Sequence, residues 1–271
     1  MKNLTVIRSP KRRLALLGST ILLLVASVAA HGHTTANGHT TADGHTTAGG
    51  QTAPSSRTRR KPGRISIGPR EIREAEQRLF DLGYWTGPIT GRMDVASHQA
   101  LIAFQKVESR KVTGRLTMDE LEALRDASPP VPRDKSYAHV EIDLGRQVFM
   151  FIDETGTVSR VLPVSSGSGK TFVSEGWERE AITPTGRFKV STKIPGWHKS
   201  PMGMLYYPSY IVGGIAIHGA PSVPAYPASH GCIRVPMFAA KEVSAMLPPG
   251  TWVIVYGTPP LRESVASGAN R

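Results

Sequence analysis

The chain has 271 residues, 39% hydrophobic and 20% charged, enough for one large domain or two smaller ones with a genuine core. Its net charge of +12 is uneven: residues 1–64 carry ten Lys or Arg against one Asp, a local +9, which leaves +3 for the remainder. The basic balance therefore belongs to an N-terminal arm, and the single cysteine, Cys232, excludes an intramolecular disulfide framework.

In chain order, Lys2, Arg8, Lys11, Arg12 and Arg13 precede an apolar run from Leu14 to Ala30 that closes in small residues. This pattern predicts an export signal over 1–30, cleaved in preference to being kept as an anchor, because the run is at the short limit for a bilayer. Export makes nucleic acid an unsuitable partner and confines membrane contact to this segment. From Gly32 a unit of Gly-His-Thr-Thr-Ala repeats three times, followed by the basic stretch Arg57 to Arg64. With no apolar face to bury, residues 31–68 are expected to form a disordered spacer. His33, His39 and His45 give the repeat the composition of a metal-binding tract as well, though a spacer is the simpler reading.

Residues 69–127 read as three short helices. Ile72, Ala75, Leu79 and Leu82 form one stripe; Ala100, Ala103, Phe104 and Val107 form a second at i, i+3, i+4 and i+7. Thr117 with Glu120 is a capping box for the third. Trp85, in the loop between the first two helices, either stacks on a ligand or packs in a small core. Pro129, Pro130 and Pro132 then predict a stiff linker over 128–136. Beyond it the period changes to two: Val140, Ile142 and Leu144 alternate with polar residues, Val148 to Ile152 is continuous, and Phe188 and Val190 alternate again. Further strands are expected at Gly214 to Ile217 and Thr251 to Tyr256, with one helix around Ala239, Val243 and Leu247. The class is α+β and multi-domain: a three-helix module, then a mainly antiparallel β-sandwich or open barrel over 137–257 with one helix, then a flexible tail over 258–271.

The chemistry concentrates in Ser229-His230-Gly231-Cys232-Ile233-Arg234, fourteen positions after His218-Gly219. A thiol attacks only as thiolate, so a neighbour must take its proton. His218, placed at the end of the Gly214–Ile217 strand, is preferred as the base over His230. No Asp or Glu lies between His218 and Cys232, so a backbone carbonyl, that of Gly219, is expected to orient the ring. Gly231 lets a carbonyl approach the backbone, and the amides of His230, Gly231 and Cys232 are candidate oxyanion donors. Arg234 either binds a substrate carboxylate or braces the loop. The Gly- and Pro-rich stretch from Gly176 to Tyr210 is expected to cover the substrate, with Ser229, Tyr206 and Tyr207 as contacts.

Two resemblances follow from these residues. Leu82-Gly83-Tyr84, Gly87, Gly91 and Ala103-Phe104-Gln105 resemble the helical peptidoglycan-binding module found beside cell-wall enzymes. His218-Gly219 with Ser229-His230-Gly231-Cys232-Ile233-Arg234 resembles the signature of L,D-transpeptidase catalytic domains, the YkuD family, over residues 137–256; Thr183-Pro184-Thr185-Gly186 matches a turn common there. The resemblance implies that Cys232 forms a thioester with a peptidoglycan tetrapeptide stem, releases D-Ala and passes the acyl group to the side-chain amine of a second stem. It implies glycan and stem peptides as partners, carbapenem-type β-lactams as inhibitors, and neither metal nor organic cofactor. Hydrolysis of the same thioester, which would make the protein a carboxypeptidase, is the first alternative; a non-catalytic wall-binding protein is the second.

Overall fold

The computed structural model describes residues 66–260. The expected export signal, the His repeats, the basic stretch before residue 66 and the tail beyond residue 260 lie outside the described residues.

The three helices form as the periodicity predicts: α1 (Pro69–Asp81), α2 (Val95–Val107) and α3 (Met118–Asp126). Pro69 stands at the first position of α1, where a missing N–H costs nothing, and the Gly68 amide donates to Glu71 Oε2 at 3.0 Å. Asp94 caps α2 by accepting from the Ser97 amide at 2.8 Å. At α3 the Thr117 hydroxyl accepts from the Glu120 amide at 3.2 Å, while the Glu120 carboxylate turns to the Arg110 guanidinium at 3.0 Å. Glu76, fully buried, ties the α1–α2 loop together: it accepts from the Thr90 and Gly91 amides and the Ser97 hydroxyl, each at 2.7 Å. Phe104 sits in the module core, with its ring edge-on to that of Tyr84 at 5.8 Å.

The second part contains β1 (His139–Asp143), β2 (Val148–Ile152), β3 (Val158–Pro163), the hairpin β4 (Thr171–Ser174) and β5 (Trp177–Glu180), then β6 (Gly186–Lys189) and β7 (Thr192–Lys193). There follow β8 (Trp197–Ser200), β9 (Gly203–Val212), β10 (Ile215–Ala220), β11 (Ile233–Pro236), α4 (Met237–Ala245) and β12 (Trp252–Tyr256). One sheet runs β3-β2-β1-β12-β6; a second runs β11-β10-β9-β7, with β8 also on β9. Most pairs are antiparallel, but β1 with β12 and β10 with β11 are parallel. Val140, Ile142, Phe149, Ile217, Ile233 and Val253 belong to one buried cluster to which both sheets and α4 contribute.

The polar positions of β1 do not face solvent. His139, Glu141 and Asp143 are buried: residues 133–137 cover the first two, and Asp143 pairs with the Arg146 amide and guanidinium. Glu141 there accepts from the Arg133 amide at 2.8 Å, the Asp134 amide at 2.9 Å and the Tyr256 hydroxyl at 3.2 Å. β2 is buried on both faces as well: Phe149 joins the intersheet core, whereas Met150 and Ile152 join Leu79, Leu82, Tyr84 and Phe104. The helical module is thus docked on the outer face of the sheet and shares a core with it. Trp85 N–H donates to the Val161 carbonyl at 3.1 Å, and Val161 N–H to the Gly83 carbonyl at 2.8 Å, so residues 83–85 extend the edge beside β3.

Candidate active site

The segment Ser229 to Arg234 enters β11 immediately after Cys232, and β11 lies parallel to β10 with His218 opposite Arg234 and Gly219 opposite Val235. That pairing carries β10 on to Ala220, so His218 stands within the strand rather than at its end, two residues before its last. The crossing is close at Gly219: a Cβ there would stand 2.5 Å from that of Ala240 and 3.1 Å from the Tyr206 ring. Gly231 has φ +137°, and a Cβ on it would stand 2.9 Å from the Ile182 carbonyl oxygen.

His218, Ser229, His230, Cys232 and Arg234 open on one cavity of about 600 Å³. Its opposite wall comes from the β4–β5 hairpin, with Phe172, Glu175, Arg179 and Glu180, and from the Ser200–Leu205 region. The cover therefore begins before Gly176 and excludes several of the large groups that follow. Trp177 and Trp197 are exposed and lie off the cavity wall. Tyr206 and Tyr207 are also off it: Tyr206 packs against the intersheet core, with its ring tilted against that of Trp197 at 4.9 Å and edge-on to that of Tyr207 at 4.7 Å. Tyr207 takes a left-handed φ of +49°.

His218 is buried and its Nδ1 is 2.9 Å from the Gly219 carbonyl oxygen. A carbonyl only accepts, so Nδ1 holds the proton in that bond and the Nε2 of a neutral ring keeps its lone pair. Burial pushes the His218 pKa down, the Arg234 cation pushes it the same way, and the Gly219 bond opposes both. Burial pushes the Cys232 thiol up, against the Ala216 N–H and the Arg234 charge, which favour thiolate. The Sγ makes a long contact of 3.9 Å with the Gly214 carbonyl. Both shifts favour a neutral thiol and a neutral imidazole on the same cavity wall in the resting state.

Ser229 holds the loop from within. Its Oγ accepts from the Gly231 amide at 3.0 Å and donates to the Cys232 carbonyl at 2.5 Å. The Gly231 amide is therefore engaged, and its carbonyl accepts from the Thr183 hydroxyl at 2.6 Å. The Phe172 ring lies 4.7 Å from that of His230. Sequence reasoning missed two features. Tyr210 stands close enough to the sulfur for a Cys232 charge to raise its pKa beyond the effect of burial, and the charged hairpin forms the facing wall. Nothing distinguished Tyr210 from the other tyrosines until β9 paired it with Ala216.

Residues 137–255 match the family model described as the L,D-transpeptidase catalytic domain, and residues 69–124 match a putative peptidoglycan binding domain. Among solved structures, the L,D-transpeptidase of Xylanimonas cellulosilytica is 39% identical, with 72% of this chain and 97% of that chain covered and a TM-score of 0.67. An L,D-transpeptidase of Stackebrandtia nassauensis is 22% identical over 70% of this chain and 92% of its own, with a TM-score of 0.42. No curated protein matches. The chain belongs to the L,D-transpeptidase family, a helical peptidoglycan-binding module preceding a mainly β catalytic domain. Both domains point to peptidoglycan as its partner.

Proposed function

We propose that the protein is an exported L,D-transpeptidase in which Cys232 is the nucleophile and His218 its base. The observation that carries this reading is the shared cavity wall of His218 and Cys232, with the Gly219 carbonyl leaving Nε2 free to accept a proton. When a stem carbonyl docks, Nε2 takes the Sγ proton as the sulfur bonds to the carbonyl carbon. The oxyanion falls to the amides of Cys232 and His230, since Ser229 already holds that of Gly231. Collapse breaks the amide bond, His218 returns the proton to the departing D-Ala amine, and a thioester remains. The side-chain amine of a second stem attacks the thioester and gives its proton to Nε2; the thiol is regenerated and a cross-link remains.

Arg234 faces this cavity without a carboxylate partner among the described residues and sits near enough to act electrostatically on both Cys232 and His218. It suits a stem carboxylate, held as a charge-assisted bidentate pair. The reaction, as written, uses no cofactor. The basic N-terminal arm would hold the exported protein against anionic wall polymers or lipid headgroups. Incubation of the purified protein with tetrapeptide-stem fragments tests the reading by product mass. A cross-linked dimer supports transfer, and a tripeptide without dimer replaces the acceptor amine with water. A carbapenem adduct that appears on the wild type and not on Cys232→Ala identifies the nucleophile. An adduct that survives that substitution would overturn the assignment.

A further inference from the structure

We propose that Lys106 is a positioning residue for the Cys232 loop, which makes the helical module part of the catalytic apparatus. The inference rests on the reading of Cys232 given above. Lys106 belongs to α2, yet its ammonium crosses into the β domain and is buried. Nζ donates to the Gln147 carbonyl at 3.0 Å and the Val164 carbonyl at 3.2 Å, and among the described residues no carboxylate pairs with it. A buried cation without a counter-charge is costly, and a methionine of similar length would fill the space without that cost. What the ammonium adds is two directed bonds that pin the ends of the β2–β3 hairpin at Gln147 and Val164.

From there the hydrogen bonds continue without a gap to the backbone of Cys232. Gln147 has φ +57°; its side-chain amide donates to the Leu144 carbonyl at 2.7 Å and the Ser166 hydroxyl at 2.8 Å, and its Oε1 accepts from the Ser166 amide at 2.9 Å. The Ser166 carbonyl then accepts from the Ala228 amide at 3.0 Å and the Ser229 amide at 2.9 Å. Ser229 in turn grips Gly231 and Cys232 through its hydroxyl. Lys106, Gln147, Ser166 and Ser229 are all buried, so water cannot readily substitute for a lost member. A chain of contacts shows a route and not yet a coupling, and coupling is what the test measures.

The test uses the full chain and two variants, Lys106→Met and Gln147→Met, with amide hydrogen exchange, carbapenem acylation of Cys232 and iodoacetamide alkylation as readouts. In both variants exchange at Ala228 and Ser229 is expected to accelerate about tenfold, while Val140 and Val253 in the core keep wild-type protection. Carbapenem acylation slows about tenfold, whereas iodoacetamide, which requires only an accessible thiolate, does not slow. The double variant is expected to lose less than the product of the two single losses. Wild-type exchange at Ala228 and Ser229 in a folded variant would overturn the proposal, and so would uniform acceleration that includes Val140 and Val253. If Lys106→Met does not fold, Gln147→Met decides alone, since it cuts the route while leaving the Lys106 carbonyl partners in place. A wild type that alkylates but never forms a carbapenem adduct would count against the transpeptidase reading; the exchange data would still test the positioning.

Discussion

Replacing Gly231 by alanine probes the Cys232 loop most directly. The backbone there has φ +137°, where an L side chain is strained by roughly 1–3 kcal/mol. The new methyl would stand 2.7 Å from Ile215 Cδ1 and 2.9 Å from the Ile182 carbonyl oxygen. The isoleucine tip can rotate away. The carbonyl cannot easily follow, because the next residue, Thr183, donates to the Gly231 carbonyl at 2.6 Å and accepts from the Gly167 amide at 2.8 Å. Overpacking of this kind adds roughly 1–3 kcal/mol, so the loop either absorbs about 2 kcal/mol or more, or shifts and takes Cys232 with it. Thermal melting is expected to fall by at least about 4 °C for a body of this size, and carbapenem acylation by 10²-fold or more, of the order of removing one oxyanion donor. Gly214→Ala is the control: φ is +84° but nothing lies within 4 Å of the added carbon, so only backbone strain of about 1 kcal/mol applies. A Gly231→Ala protein that melts and acylates like the wild type would refute the claim that this glycine is required by its surroundings.

Other outcomes follow from the same geometry. Because burial raises the Cys232 thiol and lowers His218, iodoacetamide alkylation without substrate should rise through a midpoint above the ordinary thiol range; a midpoint near neutrality would mean a resting ion pair instead. If His218 is the base, as proposed, acylation by carbapenem should fall only below the ordinary histidine pKa near 6.5, because the ring must be neutral and its pKa is depressed; His218→Gln should remove that limb of the profile. Lys106, pulled by burial to about 7, binds fewer protons folded than unfolded between that value and the ordinary lysine value of 10.5. Stability should therefore gain up to about 1.4 kcal/mol per pH unit across that window, relative to Lys106→Met, and denaturant midpoints at pH 7 and 9 check it. Met150→Ala, at the seam between helices and sheet, should cost about 2–5 kcal/mol and still give one melting transition; separate transitions for the two parts would contradict a shared core.

The sequence exposes whatever is local. Stripes such as Ala100, Ala103, Phe104 and Val107 announce α2 because burial of one face needs that spacing, and the cap at Thr117 marks where α3 starts. The clustering of His218, Gly219 and the Ser229 to Arg234 segment is equally readable, since residue types that rarely gather without chemistry gather there. What stays hidden depends on partners distant in the chain. Lys106 looks like a surface lysine in any helical pattern; only the docking of α2 on β2 and β3 buries it. Glu141 of β1 reads as part of a solvated face until residues 133–137 fold over it. The β4–β5 hairpin, rich in exposed polar residues, carries no apolar alternation to signal a strand. The two parallel pairings depend on crossovers that periodicity does not encode.

The resting state of the lone sulfur affects how long the molecule lasts. Peroxides consume thiolates far faster than thiols, and each over-oxidised cysteine is lost for good without dedicated repair. Burial that disfavours the Cys232 thiolate while the site is idle therefore works against spontaneous oxidation and, on the mechanism proposed above, the proton leaves only when an acyl donor fills the cavity. The same setting that slows attack on small electrophiles lengthens the working life of a protein whose sequence contains no second cysteine to rescue the first.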